Sequence, residues 1–395
     1  MMSLNRVNYV NKKKLNSLQI LRGIAALLVI LIHGTGVVET AFNENYLDQY
    51  FYMGNCGVDI FFVLSGFIIF YSNYNLIGDP SKFVSFIRKR IIRIYPIYWI
   101  VTLSILPAYA IIPSFGQGDE LNFNVILTSL FLIPNYRSPI LVSGWTLIHE
   151  MLFYLIFGLI IVLKPKLSKS IIIIWSTIIL VLFIYNFYAI EINIQNPVIR
   201  LVTHPQNIEF LLGCLAAKIV INTLNNVKKI STRTIVLIKL NVLFCALIII
   251  MSGFARYYNI KIFNLLTGVH VLIYGITSMI LILCLAFLDV LNKNVYSKDI
   301  NYDKVRKNTG VSLINRYVLF SGLILLGEAS YSIYLTHGPA ISALSKAMKH
   351  FKIHELIGGF WASNILFMLV VASGVITYLY VELPMLNFLK KRFTN

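Results

Sequence analysis

SLQILRGIAALLVILIHGTGVV, residues 17–38, holds a single cation, Arg22, and a single imidazole, His33, in an otherwise uncharged run. A helix rising ~1.5 Å per residue needs roughly 20 mostly apolar residues to cross a bilayer, and this stretch meets that length. It is too long for the apolar part of a signal peptide and lacks a small-residue cleavage site, so it reads as a retained membrane helix. Nine further runs of the same kind follow at 55–75, 94–113, 143–163, 170–190, 206–224, 235–254, 265–288, 326–348 and 358–383. The composition agrees: the 395 residues are 58% hydrophobic and 13% charged, where a soluble domain carries about a quarter charged residues. Disorder, collagen and a small disulfide scaffold are excluded by the same figures. The four scattered cysteines, Cys56, Cys214, Cys245 and Cys284, show neither disulfide nor zinc spacing. The expected fold class is all-α, a polytopic transmembrane helix bundle of about ten spans.

The formal charge of +18 arises from 34 Lys and Arg against 16 Asp and Glu. In a soluble protein that balance would point to nucleic acid, but its placement in short loops makes it a topology signal. With both termini cytoplasmic, only Arg137, Arg200, Arg256, Lys261, Lys346, Lys349 and Lys352 fall in outer segments, and the other 27 basic residues lie inside. Leu121–Pro134, about 14 residues, is too short to span and reads as re-entrant or interfacial. No internal repeat, Pro- or Ser-rich linker or soluble appended domain is expected. Residues 1–395 therefore read as one integral-membrane domain, with a cytoplasmic N-terminal tail at 1–16 and a cytoplasmic loop at 289–315.

Charged groups in hydrocarbon cost roughly 2.5–3.5 kcal/mol each on insertion scales, so those retained face the bundle interior. Arg22 and His33 stand eleven residues apart, on one helix face and about 16 Å apart in depth. GVDIFFVLSGFIIF, residues 57–70, carries Asp59 in from the outer side. A carboxylate there could hold one nitrogen of His33 and leave the other as a base. GWTLIHEMLFYLIF, residues 144–157, brings Glu150 into the same outer half. A snorkelling Arg, a packed His and a helix-capping Asp are the plain structural alternatives, but three titratable groups from three helices in one layer favour a site. His149 and Glu150 lack the second His of a zinc-protease helix, because Phe153 occupies its place, and no metal is expected. No nucleophile elbow, P-loop or dinucleotide glycine motif occurs. FIRKRIIRIYP, residues 86–96, crowds Arg88, Lys89, Arg90 and Arg93 at the cytoplasmic rim before the third span. Such a cluster either anchors on acidic lipid or grips a phosphorylated ligand through guanidinium forks. SYSIYLTHGP, residues 330–339, sets His337 two residues before Pro339, where a kink can re-aim side chains. Glu328 and Glu382 read as partners of nearby basic residues, and Glu209 and His270 carry no assigned role.

These segments, with VELP at 381–384, stand in the order found in membrane acyltransferase family 3, the bacterial integral-membrane O-acyltransferases of surface glycans. The chain resembles that family over nearly its full length. The resemblance implies transfer of an acyl group, most often acetyl from acetyl-CoA, to a sugar hydroxyl. The acceptor it implies is a cell-surface polysaccharide, such as an exopolysaccharide or O-antigen, or a lipid-linked glycan at the bacterial inner membrane. Arg22 and His33 match the family's first-helix pair, Asp59 its second-helix acid, Arg90 with Arg93 its arginine motif, and Glu150 the acid of the WTLIHE segment. The catalytic candidates are therefore His33, Asp59 and Glu150, and the candidates for binding acyl-CoA are Arg22, Arg90 and Arg93. Many relatives append a soluble esterase-like domain; this chain is expected to resemble the stand-alone members.

The expected chemistry places the acyl-CoA phosphates near Arg90, Arg93 and Arg22, with His33, oriented by Asp59, as general base toward the acceptor hydroxyl. Glu150 would position acceptor or imidazole, and direct transfer and a covalent acyl-histidine remain equally open. The rival reading is a glycan exporter or flippase, whose intramembrane ions would line a path, but the sequence lacks two related halves and paired broken helices. A scaffold or sensor would leave the ionisable layer without a purpose.

Overall fold

The computed structural model describes residues 15–45, 50–112, 115–116, 118–187, 194–226, 231–258, 269–291 and 311–393. Hydrocarbon offers backbone amides no water, so a chain this apolar must satisfy them internally, and all regular structure among the described residues is helical. The helices are α1 (Asn16–Phe42), α2 (Cys56–Asn73), α3 (Phe83–Ile111), the short α4 (Phe123–Leu130), α5 (Gly144–Val162), α6 (Pro165–Phe187), the short α7 (Pro197–Val202) and α8 (Asn207–Asn226). Then come α9 (Thr232–Tyr257), α10 (Val269–Leu291), α11 (Val311–Glu328), α12 (Ser330–His350), the short α13 (Ile353–Ile357), α14 (Gly359–Thr377) and α15 (Leu383–Phe393). A π-turn, Tyr378–Glu382, joins the last two.

Among the described residues, eight helices are long and apolar enough to cross a membrane, or nine if α11 and α12 form one span. The remaining expected run is α8, 20 residues long, which packs against α2 and α10. Three expectations change in detail. The run at 326–348 is broken: α11 and α12 meet at Ala329 with a bend of 73°, while Pro339 lies within a helix that continues past it. The third span begins at Phe83 rather than 94, so Arg88 to Arg93 belong to its opening turns. The loop expected at 289–315 is helical at its ends, in α10 and α11; its residues 292–310 lie outside the described residues, as do residues 1–14 of the N-terminal tail.

The segment 121–134 does not span. Its only helix is α4, eight residues long, and its open carbonyls are taken by one face of α3. Tyr98 Oη donates to the Ser129 carbonyl at 2.9 Å, Trp99 Nε1 to that of Leu130 at 2.8 Å and Tyr95 Oη to that of Phe131 at 3.1 Å. Helix ends leave carbonyls without intrahelical partners, and these donors let the chain turn back.

Helix α1 is the hub, packing against α2, α10, α11, α12 and α14. Without a hydrophobic drive between helices in lipid, close backbone approach through small residues supplies the packing. A Cβ on Gly57 would fall 2.6 Å from the Ala25 carbonyl oxygen of α1. On the opposite face of α2, Gly66 presses on the Phe210 carbonyl of α8, and Gly213 of α8 presses back on Val63. Two glycines, nine residues apart and hence about 180° around α2, thus clamp it between α1 and α8. Leu243 and Phe244 of α9 and Ile174 and Val181 of α6 turn outward, where lipid is their natural solvent.

Gly213→Leu has no room, since its Cβ would also sit 2.7 Å from the Phe67 amide nitrogen. Overpacking of this kind costs about 1–3 kcal/mol, so the variant is expected to melt at lower temperature and to be recovered in lower yield, measured by fluorescence-detected size exclusion after heating.

Candidate active site

Four of the six candidate residues converge. Arg22 of α1, Arg90 and Arg93 of α3 and Glu150 of α5 line one cavity of about 140 Å³, closed on its other sides by α2 and α12. The convergence follows from helical phase. Residues three apart share a face, so Arg90 and Arg93 turn inward together while Arg88 and Lys89 remain exposed. On α5 the same rule groups Thr146, Glu150 and Tyr154 along the cavity wall.

Aromatic and acidic groups hold the cations apart. The Arg90 guanidinium lies over the rings of Phe86, at 5.3 Å, and Tyr154, at 5.5 Å, an arrangement worth about 0.5–2 kcal/mol. The Tyr154 hydroxyl donates to the Glu150 carboxylate. Glu150, Glu382 and Arg93 all lie within electrostatic reach of Arg22. None of the three arginines forms a direct ion pair with a carboxylate among the described residues. The cavity therefore keeps its positive field and its guanidinium donors for an anion.

Three residues outside the candidate set bear on this cavity: Glu382, read from sequence as a partner of nearby basic residues, and Tyr331 and Tyr334, which line it. Glu382 is buried on the π-turn, accepts from Ser332 Oγ at 2.5 Å and faces Arg93 and Arg22. Tyr331 and Tyr334 line the cavity from α12. The Tyr331 hydroxyl donates to the Ile94 carbonyl at 3.0 Å, and the Tyr334 and Thr146 hydroxyls share a hydrogen bond of 2.9 Å. The signal was present in the sequence: Tyr331, Tyr334 and His337 recur at intervals of three, hence on one helix face.

His33 lies beyond Tyr334. The Tyr334 and His337 rings stand 5.6 Å apart, and those of His337 and His33 5.2 Å apart. His33 Nδ1 meets the Val29 carbonyl at 2.9 Å and His337 Nδ1 the Tyr334 carbonyl at 2.6 Å. A carbonyl only accepts, so in the neutral ring each Nδ1 carries the proton and each Nε2 presents a lone pair. His337 is buried and His33 exposed. A Cβ on Gly36 or Gly338 would meet nothing within 4 Å, so the pair opens to the surface.

Asp59 does not join them. It follows Gly57, the α1 contact, by two residues, about 200° around the helix, and therefore faces α8. There it is buried beside the carboxyl of Glu209, with Cys56 and Tyr274 near. The partner expected for His33 is replaced by the Val29 carbonyl and the His337 ring.

The Exopolysaccharide production protein ExoZ of Rhizobium meliloti (strain 1021) is 40% identical to the chain over 117 residues, which are 28% of this chain and 35% of that protein. The match thus spans about a third of that relative's length. No solved structure matches the chain. Residues 15–381 match the family described as an acyltransferase domain, so that nearly every helix around the arginine cavity falls within the match, and the chain belongs to that family of membrane acyltransferases.

Proposed function

We propose that this acyltransferase moves an acyl group, acetyl in the first instance, from acyl-CoA to a sugar hydroxyl of an exopolysaccharide or lipid-linked glycan at the bacterial inner membrane. The observation that carries this reading is the convergence of three guanidinium groups, without direct ion pairs among the described residues, on a cavity that ends one tyrosine ring short of a histidine pair. The family match and the name of the rhizobial relative support it. The excess of basic residues in the loops at the arginine end favours a cytoplasmic position for that end, where acyl-CoA is available.

A cavity of about 140 Å³ is close to one of ~150 Å³ that holds benzene. It accommodates the thioester end of the donor, while the bulky nucleotide stays at the mouth. Arg90, Arg93 and Arg22 grip its phosphates by charge-assisted, forked hydrogen bonds. The thioester passes Tyr334, whose hydroxyl turns from Thr146 to the thioester carbonyl. His33, its Nδ1 held by Val29, takes the acceptor proton on Nε2 as the acceptor oxygen bonds to the acyl carbon. The carbon–sulfur bond breaks and the proton passes from Nε2 to the departing thiolate, leaving ester and free CoA. His337 holds the His33 ring from one side. Glu150, tied to Tyr154, keeps the arginines apart. Asp59 with Glu209 is a positioning pair that keeps α2, and with it the Phe61 and Ser65 wall, against α8.

In proteoliposomes supplied with radiolabelled acetyl-CoA and deacylated glycan, His33→Ala is expected to lose transfer by at least about 10²-fold, the scale of general-base catalysis, while still binding donor. Transfer at the wild-type rate removes His33 from the chemistry. Arg90→Gln with Arg93→Gln is expected to raise the donor KM about tenfold or more and the acceptor KM far less; an unchanged donor KM returns these residues to a lipid-anchoring role. Glu382→Gln keeps the Ser332 hydrogen bond but removes a counter-charge from Arg93, and is expected to lower the donor KM while reducing thermal stability, read by melting with and without CoA.

A further inference from the structure

A second recess lies on the opposite face of α5. Thr146, Glu150 and Tyr154 face the arginine cavity, whereas Trp145, Ile148 and His149 face a groove of about 360 Å³ completed by 134–139 and by α7 with its flanks. That volume is in the range of small-ligand sites. Its walls combine one aromatic face with convergent polar groups: Trp145, His149 and His204 beside the side chains of Asn135, Gln195 and Arg200.

The groove is firmly built. Trp145 and His149 pack edge-on at 5.9 Å, and Phe62 supports both from below, at 6.2 and 5.7 Å. The His149 and His204 rings stand 4.9 Å apart, and His149 Nδ1 meets Asn207 Oδ1 at 3.2 Å. Helix α7, which carries Arg200, is pinned at its end: Asn207 Nδ2 donates to the Leu201 and Val202 carbonyls at 2.7 and 3.1 Å, and Trp175 Nε1 to Val202 at 2.9 Å. The groove's charge is equally defined. Arg137 is occupied by Asp119 and Glu120. Arg200 is exposed and has no carboxylate partner among the described residues, and among those residues no carboxylate lines the groove.

The groove also lies at the right depth. Tyr334, next to His337, bonds Thr146, one residue from Trp145. The groove mouth and the histidine pair thus lie toward the same end of the bundle, separated by the width of α5, ~10 Å, and by the Tyr334 side chain beyond it. One sugar ring does not bridge that distance; a run of sugars laid over the start of α5 does.

We infer that this groove is a distal acceptor subsite that binds an acidic sugar residue of the glycan, its ring against Trp145 and its carboxylate on Arg200, while a hydroxyl further along the same chain meets His33. The inference rests on the acyltransferase reading above. It makes the enzyme one that recognises a stretch of polymer and favours long acceptors over short ones, because bound remote residues contribute to transition-state binding.

The test uses the full-length protein in nanodiscs, radiolabelled acetyl-CoA and the producing strain's own exopolysaccharide, base-deacylated and cut to fragments of about two and about eight sugars. For the wild type, kcat/KM is expected to be at least about tenfold higher for the longer fragments. Arg200→Gln is expected to shrink that advantage to within about twofold, and Arg200→Lys to keep part of it. Reduction of the glycan carboxylates to alcohols is expected to remove the advantage in the wild type. A long-fragment advantage that survives either Arg200→Gln or carboxylate reduction overturns the acidic subsite. Failure of the wild type to label either fragment overturns the glycan acyltransferase reading itself, a result distinguishable from the first. Arg200 is exposed on the groove rim, so Arg200→Gln is not expected to disturb folding, and an unchanged melting temperature checks this.

Discussion

Like charges brought together inside a membrane protein must be held there by something other than water. Arg22, Arg90 and Arg93 converge from two helices, and Arg22 and Arg93 repel one another. The surroundings offset that repulsion without quenching it. Two aromatic faces lie under Arg90, and Glu150 and Glu382 stand within electrostatic reach but short of direct ion pairs. A fully ion-paired cluster would have little left to offer an anionic ligand. Away from water the same guanidinium groups act at greater strength than at a surface, and the positions of α1, α2, α3, α5 and α12 are those that keep this arrangement in place.

The scaffold meets the demand through backbone contacts rather than large side chains. Gly57 and Gly66 fix both sides of α2, and Gly327 of α11 sits on the Gln19 carbonyl of α1, just below Arg22. Closely packed backbones allow little rotation, which matters because a slip of one residue on any helix turns its side chain by about 100°. Glu382 is set by a different device. The π-turn carries it, and such turns are rare and concentrate at functional sites.

Much of this was legible in the sequence. Arg22, Arg90, Arg93 and Glu150 are conspicuous because each interrupts or borders an apolar run, and burial cost alone argues that such groups turn inward. Depth could be counted along α1, where His33 stands well beyond Arg22, but not from helix to helix: Glu150, expected in the layer of His33 and Asp59, lines the arginine cavity instead. Rotation could not be counted. Asp59 was placed at a suitable level, but which neighbour each glycine of α2 would touch is a tertiary fact, and it sends Asp59 toward Glu209. Tyr334 escaped notice because a neutral residue in an apolar helix carries no visible cost. The break at Ala329 carries no proline to mark it, whereas Pro339, which does stand out, lies inside a helix that continues past it.

The π-turn gives the last span an unusual genetic constraint. Because it holds one more residue than an α-turn, the direction in which Glu382 points is written in the count of residues from Gly359 onward as much as in its own chemistry. Exchanging one greasy side chain for another along that helix leaves the count intact. Inserting or deleting a single residue would leave hydropathy nearly unchanged and still swing the carboxylate about 100° away from Ser332, so this segment should drift in composition far more freely than in length.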